Sequence, residues 1–338
     1  MKSEIESLTA LRGIAAIWVV LYHYAHHVDW VPAAFVVAQG DLAVDLFFTL
    51  SGFILVYVYG DKFSTKDFLT KRFARLYPVH FVTLVCISTM IIVGKALGIN
   101  IDGDISLQTF ILHTLALHGI GFEDKLALNY PSWSISAEFF AYLAFPFLAR
   151  WFLNWKLIWS SVFACTFFAA CVYIADTTGK PLASRSFDFS PLRIMPEFLL
   201  GMIAARFCIS GRVNASFCGA AALLLLTLGL FKEIELLVIM AAPFLIATLY
   251  VKNLPVPRFL RYLGVISYSL YMVHALTEKV GFTLLEKIVG VEVLPFWCLA
   301  IVISASILFA AIMYHYVEEP GRRLIMRLYK ARTPRLAS

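Results

Sequence analysis

The chain has 338 residues, of which 61% are hydrophobic and only 15% charged, with a formal net charge of +6 and a mean hydropathy of +0.81. A water-soluble domain carries about 25% charged residues, so this composition excludes a solvated globular surface. The six cysteines (Cys86, Cys165, Cys171, Cys208, Cys218 and Cys298) fall in or beside apolar runs without metal-type spacing, which argues against a disulfide framework and against a zinc cluster.

Ten apolar runs of roughly 18–25 residues, each long enough to cross a bilayer, lie near 8–28, 42–59, 77–97, 131–151, 157–175, 192–209, 214–231, 235–251, 264–285 and 294–317. The first run is too long for a signal-peptide h-region, contains Arg12 and His23, and has no small-residue cleavage site; we expect it to remain as the first span. A weaker stretch, 107–120, carries His113 and His118 and reads as interfacial or re-entrant. No internal repeat is visible. The expected fold is all-α: one polytopic transmembrane helical bundle over 1–338, with a cytoplasmic tail at 318–338.

Lys and Arg fix the orientation. With the N-terminus in the cytoplasm, the cytoplasmic ends collect 20 of the 28: Lys2 and Arg12, five between 62 and 75, Arg150 and Lys156, Arg206 and Arg212, three between 252 and 261, and six between 322 and 335. The other side receives 8, the asymmetry of the positive-inside rule. The net positive charge therefore lies against the anionic inner leaflet, a membrane-lipid partner, and does not point to nucleic acid.

Ionisable groups within a bilayer are costly, so each is a functional candidate. Arg12 and His23 are eleven residues apart, close to three whole turns, and share one stripe about 16 Å long. A snorkelling arginine and a satisfied core histidine would be the bland explanation. The second span opens with Asp41 and Asp45; Asp45, roughly 5 Å deep, matches His23 at roughly 7 Å. A carboxylate beside an imidazole sets its tautomer and raises its basicity, although an ion pair locking two helices would use the same residues. Ser51-Gly52 permits close helix approach. Arg72 and Arg75, an i, i+3 pair at the level of Arg12, suit phosphate groups by their guanidinium forks; positive-inside anchoring is the competing role.

The fourth span places Glu138 near the level of His23, with Ser134 one turn above to cap or bond its carboxylate; Glu138 reads as an alternative acid or base, or as the partner of a buried arginine. Arg193 and Glu197 form a structural i, i+4 pair, while Ser267, Tyr271 and His274 form one stripe with Glu278 a turn beyond. Glu318-Glu319-Pro320-Gly321-Arg322-Arg323 closes the last span in an architectural role. His23 and His27 are also spaced i, i+4, but no further ligands accompany them and no metal is expected.

Together these residues resemble the family 3 membrane acyltransferases, bacterial enzymes that O-acylate cell-surface sugars. The motifs are Leu8-Thr9-Ala10-Leu11-Arg12-Gly13 with His23 eleven residues on, Val44-Asp45-Leu46-Phe47-Phe48 through Ser51-Gly52-Phe53, and Arg72-Phe73-Ala74-Arg75-Leu76-Tyr77-Pro78. Trp133-Ser134 to Glu138, Ser267-Tyr268-Ser269-Leu270-Tyr271 with His274, and Glu319-Pro320 complete the set. The resemblance implies a cytoplasmic acyl-CoA donor, usually acetyl-CoA, no permanently bound cofactor, and a carbohydrate acceptor handled toward the outer face. It implies a bacterial inner-membrane protein, with polysaccharide-biosynthesis proteins as partners. It maps His23 to the catalytic histidine, Arg12 to its arginine partner, and Arg72 with Arg75 to the cytoplasmic arginine pair. Some relatives carry a C-terminal esterase-like domain; with the sequence ending about twenty residues past the last span, we expect that domain to be absent.

The expected mechanism has His23, oriented by Asp45 or Glu138, removing the acceptor hydroxyl's proton as it attacks the thioester. Arg12, Arg72, Arg75, Ser51, Ser134, Tyr271 and His274 are the expected substrate contacts. Direct transfer is the simpler course; an acyl-serine on Ser51 or Ser134 is the other. A transporter with an intramembrane His/Asp/Glu relay is the alternative class, weakened by the lack of a repeat, and a non-catalytic scaffold has no need of a His and Asp at matched depth. A reporter fused after Arg335 should be cytoplasmic; activity of an outward-facing reporter there would overturn the orientation.

Overall fold

The computed structural model describes residues 4–60, 63–98 and 105–332; Lys2, Lys62 and Arg335 of the charge distribution lie outside them. Ten long helices follow the ten apolar runs: α1 (Glu6–Tyr24), α2 (Ala43–Tyr59), α3 (Thr65–Ala96), α4 (Trp133–Phe152), α5 (Leu157–Thr177), α6 (Pro191–Ile209), α7 (Ala215–Lys232), α8 (Glu235–Lys252), α9 (Arg258–Val289) and α10 (Trp297–Met313). Seven helical segments, those containing α1, α2, α3, α5, α7, α8 and α10, are long and apolar enough to cross a membrane by length and composition alone. The fold is thus an all-α polytopic membrane bundle, with no strand among the described residues. In α5 and α7 only 17% of the most apolar window is buried within the chain. Such outward apolar faces suit lipid rather than water.

Two boundaries differ from expectation. The third helix begins at Thr65, twelve residues before the apolar run, because Ser64 accepts a hydrogen bond from the Asp67 amide at 3.3 Å and caps a charged first segment. The expected tail at 318–338 is helical through Arg332: α10 passes through a π-helical turn, Tyr314–Glu318, into α11 (Glu319–Arg332). There Glu319 pairs with Arg322 at 2.8 Å and Arg323 at 2.9 Å, and Tyr329 bonds Asp67 on α3. The stretch 107–120 holds only a short helix, Leu107–Thr114, about 12 Å long and unable to span. It carries His113 and His118 into a buried stack with centroids 3.8 Å apart, and Ser132 bonds His118 at 2.9 Å.

Two helix pairs set the interior, each through glycine. Gly264 of α9 lies against the Thr9 carbonyl of α1, and Gly13 of α1 against the Gly264 backbone. Gly52 of α2 meets the Phe198 carbonyl of α6, and Gly201 of α6 meets the Thr49 carbonyl of α2. In lipid, helices associate chiefly by packing, and absent side chains let backbones approach. A Cβ at Gly264 would occupy the Thr9 carbonyl, so Gly264→Ala should lower thermal stability in detergent by overpacking, typically about 1–3 kcal/mol. Gly219→Ala on α7, whose Cβ would meet only Thr248 at 3.4 Å, should be close to neutral. Equal melting temperatures for the two variants would contradict the packing described.

Candidate active site

Side chains from five helices line one cavity: Arg12 (α1), Ser51 (α2), Arg72 and Arg75 (α3), Ser134, Glu138 and Tyr142 (α4), and Ser267 and Tyr271 (α9). Glu138 accepts hydrogen bonds from Ser51 at 3.1 Å and from Tyr142. Arg72 donates to the Tyr59 hydroxyl at 3.1 Å, and its guanidinium carbon lies 5.3 Å and 5.8 Å from the ring centroids of Tyr59 and Tyr142. Its Nε is buried without a hydrogen-bond partner among the described residues. Arg12 sits in the field of Arg75, Glu138 and Glu318, and Glu318 in turn accepts a bond from Ser269 at 2.6 Å. Three guanidinium groups against one lining carboxylate leave the cavity positive, and planar forks are the geometry that phosphate oxygens accept.

A second polar cluster lies farther along α1 and α9. The ring of the half-buried His23 is 4.8 Å from that of Tyr130 and 5.0 Å from that of His274. His274 is fully buried, and its Nδ1 lies 2.6 Å from the Tyr271 carbonyl oxygen. A carbonyl only accepts, so Nδ1 carries the proton, and Nε2 is left without a hydrogen-bond partner. Glu278 accepts from the Tyr130 hydroxyl at 2.6 Å, and its other oxygen is 3.2 Å from His27 Nε2. Below them the buried Tyr24 hydroxyl bonds the His274 carbonyl, Thr277 and Ser306 at 2.7–2.9 Å, tying α1 to α9 and α10.

Tyr271 connects the two clusters. It lines the arginine cavity, its hydroxyl donates to the Pro131 carbonyl at 3.0 Å, and its ring is 5.6 Å from that of His274. The stripe from Ser267 to Glu278 on α9 therefore begins at one cluster and ends at the other.

Several sequence assignments change. Asp45 does not orient His23: its carboxylate takes both arms of the Arg193 fork, Nε–Oδ1 at 2.7 Å and Nη2–Oδ2 at 2.6 Å, and both residues are buried. Arg193 is accordingly the partner of Asp45 across α2 and α6, not of Glu197 within its own helix. The bidentate bond to a second helix satisfies the guanidinium more fully than an i, i+4 contact. Glu138 lines the arginine cavity and is bonded by Ser51 and Tyr142, not by His23, so its serine partner is Ser51. Ser134 instead donates to the carbonyl of Pro131, three residues back at 3.1 Å, the same oxygen that accepts from Tyr271. The carboxylate of the His23 cluster is Glu278. Tyr130 and Tyr142 were missed as site residues; the first precedes Pro131 in sequence and reads there as turn punctuation, and the second reads as apolar filling.

If the Asp45–Arg193 pair is a structural clamp, Asp45→Ala should destabilise the protein by about 3–5 kcal/mol through an unpaired buried charge. Asp45→Leu combined with Arg193→Met should recover much of that loss, read as detergent melting temperature. A stable Asp45→Ala protein that lacks only activity would restore Asp45 to the reaction.

An acyltransferase of Streptomyces mycarofaciens, MdmB, is 29% identical over 249 residues, 66% of this chain and 62% of the relative. Protein 2 of the picA locus of Rhizobium radiobacter is 32% identical over 161 residues, 43% of this chain and 80% of the relative. The peptidoglycan O-acetyltransferase OatA of Listeria monocytogenes is 23% identical over 362 aligned positions, 95% of this chain but 56% of the relative. The chain thus spans little more than half the length of the relatives it matches most fully. No solved structure matches the chain. The family described as "Acyltransferase domain" matches residues 5–315, through both polar clusters and all ten long helices, and the chain belongs to that family.

Proposed function

We propose that this protein is a membrane O-acyltransferase that moves an acyl group, acetyl being the simplest, from acyl-CoA to a hydroxyl of a cell-surface or lipid-linked saccharide. The observation that carries this reading is the cavity in which Arg12, Arg72 and Arg75 converge, with Tyr271 between it and the His23–His274 pair. The arginines would hold the CoA phosphates at the cytoplasmic end, and the thioester arm would run along Ser51 and Ser134 toward Tyr271. His23, half-buried and free of any carboxylate clamp from Asp45, is the base that would take the acceptor's proton as the hydroxyl attacks the carbonyl. CoA thiolate leaves, and the acyl oxygen ester is the product. Glu138, bonded by Ser51 and Tyr142, would offset part of the positive charge of the arginine cavity. The Lys and Arg distribution supports a reading in which both termini lie in the cytoplasm of a bacterium and the acceptor on the outer side, where polysaccharide-biosynthesis proteins would supply it.

Acyl-CoA consumption and donor affinity of the purified protein test these roles separately. His23→Ala should lower transfer by about 10²–10⁴-fold, the usual worth of a general base, with donor affinity retained. Arg72→Ala and Arg75→Ala should weaken donor binding, and the Lys variants should restore only part of it, since an ammonium keeps the charge but loses the fork. Full restoration by Lys at both positions would make the pair a topological anchor, and near-normal transfer by His23→Ala would remove His23 from the reaction.

A further inference from the structure

At the end of α1 a 3-10 turn, Ala25–His27, turns two adjacent imidazoles toward Glu278 of α9. His27 Nε2 is 3.2 Å from Glu278 Oε1, His26 Nε2 is 3.8 Å from the same oxygen, and one ligand atom from each residue lies within 4.8 Å of the others. A tetrahedral ion with bonds of about 2.0–2.2 Å spaces its ligands by about 3.3–3.5 Å. The two distances to Glu278 bracket that spacing, and a modest rotation of the exposed His26 side chain would bring the third ligand atom, now within 4.8 Å of the others, onto the same ion.

The surroundings are also those of a metal centre. Glu278's second oxygen is fixed by the Tyr130 hydroxyl at 2.6 Å. His27's other nitrogen, Nδ1, faces Glu286 at 3.8 Å, too long for a hydrogen bond but one side-chain rotation from the carboxylate–histidine arrangement that orients a ligand ring. The His27 ring lies flat on Phe282, with centroids 4.1 Å apart and planes 9° apart, which limits its rotation. Entry is open, because the His26 side chain is 65% exposed, against 22% for His27 and 10% for Glu278. His23, which sequence spacing alone would pair with His27, turns instead to His274 and takes no part.

We propose that His26, His27 and Glu278 form a binding site for a divalent transition-metal ion of the zinc class, held by two imidazole nitrogens and one carboxylate oxygen. A fourth position is left to water on the exposed side. Imidazole and carboxylate donors favour such an ion over calcium or magnesium, which take oxygen sets. Bound there, the ion would fasten the end of α1 to α9 beside His23. The assignment does not rest on the acyl-transfer reading.

The test uses the full chain in detergent, stripped with a chelator and titrated calorimetrically with Zn²⁺ alone, then with Co²⁺ as a spectroscopic probe. One ion per chain and the intense visible absorption of four-coordinate Co²⁺ are expected. His26→Ala and His27→Ala should each weaken Zn²⁺ binding by more than the 10–100-fold typical of losing a second-shell partner, and Glu286→Gln by about that amount. His26 is mostly exposed, so His26→Ala should elute as wild type on size exclusion. His315→Ala, a histidine on the π-helical turn of the last helix, should bind as wild type. Zn²⁺ binding that survives in the His26→Ala/His27→Ala double variant, or that is absent from wild type, would overturn the site.

Discussion

The parallel packing of α1 on α9 is the constraint on which the rest depends. Gly13 meets Gly264, the Tyr24 hydroxyl meets the His274 carbonyl, and His27 meets Glu278, at a constant offset of 250–251 residues. The two helices therefore keep one register from the arginine end to the histidine end. At that offset His23 is level with His274, and their rings lie 5.0 Å apart. A slip of one residue would turn each polar group by about 100° and carry it off the shared seam. Two glycines fix the register, because only there can the backbones approach this closely. The hydroxyl knot of Tyr24, Thr277 and Ser306 adds bonds that have no water to compete with them.

A second clamp holds α2. Asp45 and Gly52 are seven residues apart, two turns, so both face α6, where Arg193 and Phe198 receive them. Ser51 lies about 120° round the helix from Asp45 and faces the arginine cavity. One helix thus presents a locking face and a cavity face. The ion pair gives little net stability over a well-packed apolar pair, but breaking it would strand a charge in a dry interior. Its worth is in specifying how α2 is rotated, and so that Ser51 reaches Glu138 at 3.1 Å.

The separation of the two clusters has an electrostatic logic. Three guanidinium groups make the cavity attractive to anions but hostile to an imidazolium, which any base at His23 must become. Tyr271, a neutral ring with its hydroxyl satisfied by Pro131, stands between them. The arginine cavity and the histidine cluster are kept on either side of one aromatic layer.

Much of this was legible in the amino-acid sequence. The helices follow from apolar run length, a strong signal because a bilayer demands about twenty residues per crossing. The extensions at Thr65 and through Arg332 escaped it because charged helix ends carry no hydropathy signal and are set by capping, ion pairs and tertiary docking. The intramembrane polar residues also stood out, since each costs too much to be incidental: Arg12, Arg72, Arg75, Ser51, Ser134, Glu138 and Tyr271 do share a cavity, and His23 and His274 do meet. Their pairing was hidden. Depth along a helix can be counted from sequence, so Asp45 and Glu138 both looked level with His23. Rotation about the axis and the neighbour across it depend on which helices pack together, and that was decided by glycines at Gly13, Gly52, Gly201 and Gly264, whose partners are backbone atoms far away in the chain. The sequence by itself determined a helical membrane bundle and the chemical types in its interior. Only the tertiary structure decided that Asp45 belongs to Arg193, Glu138 to Ser51, and Glu278 to the histidines, because partners 87 to 251 residues apart leave no periodic trace.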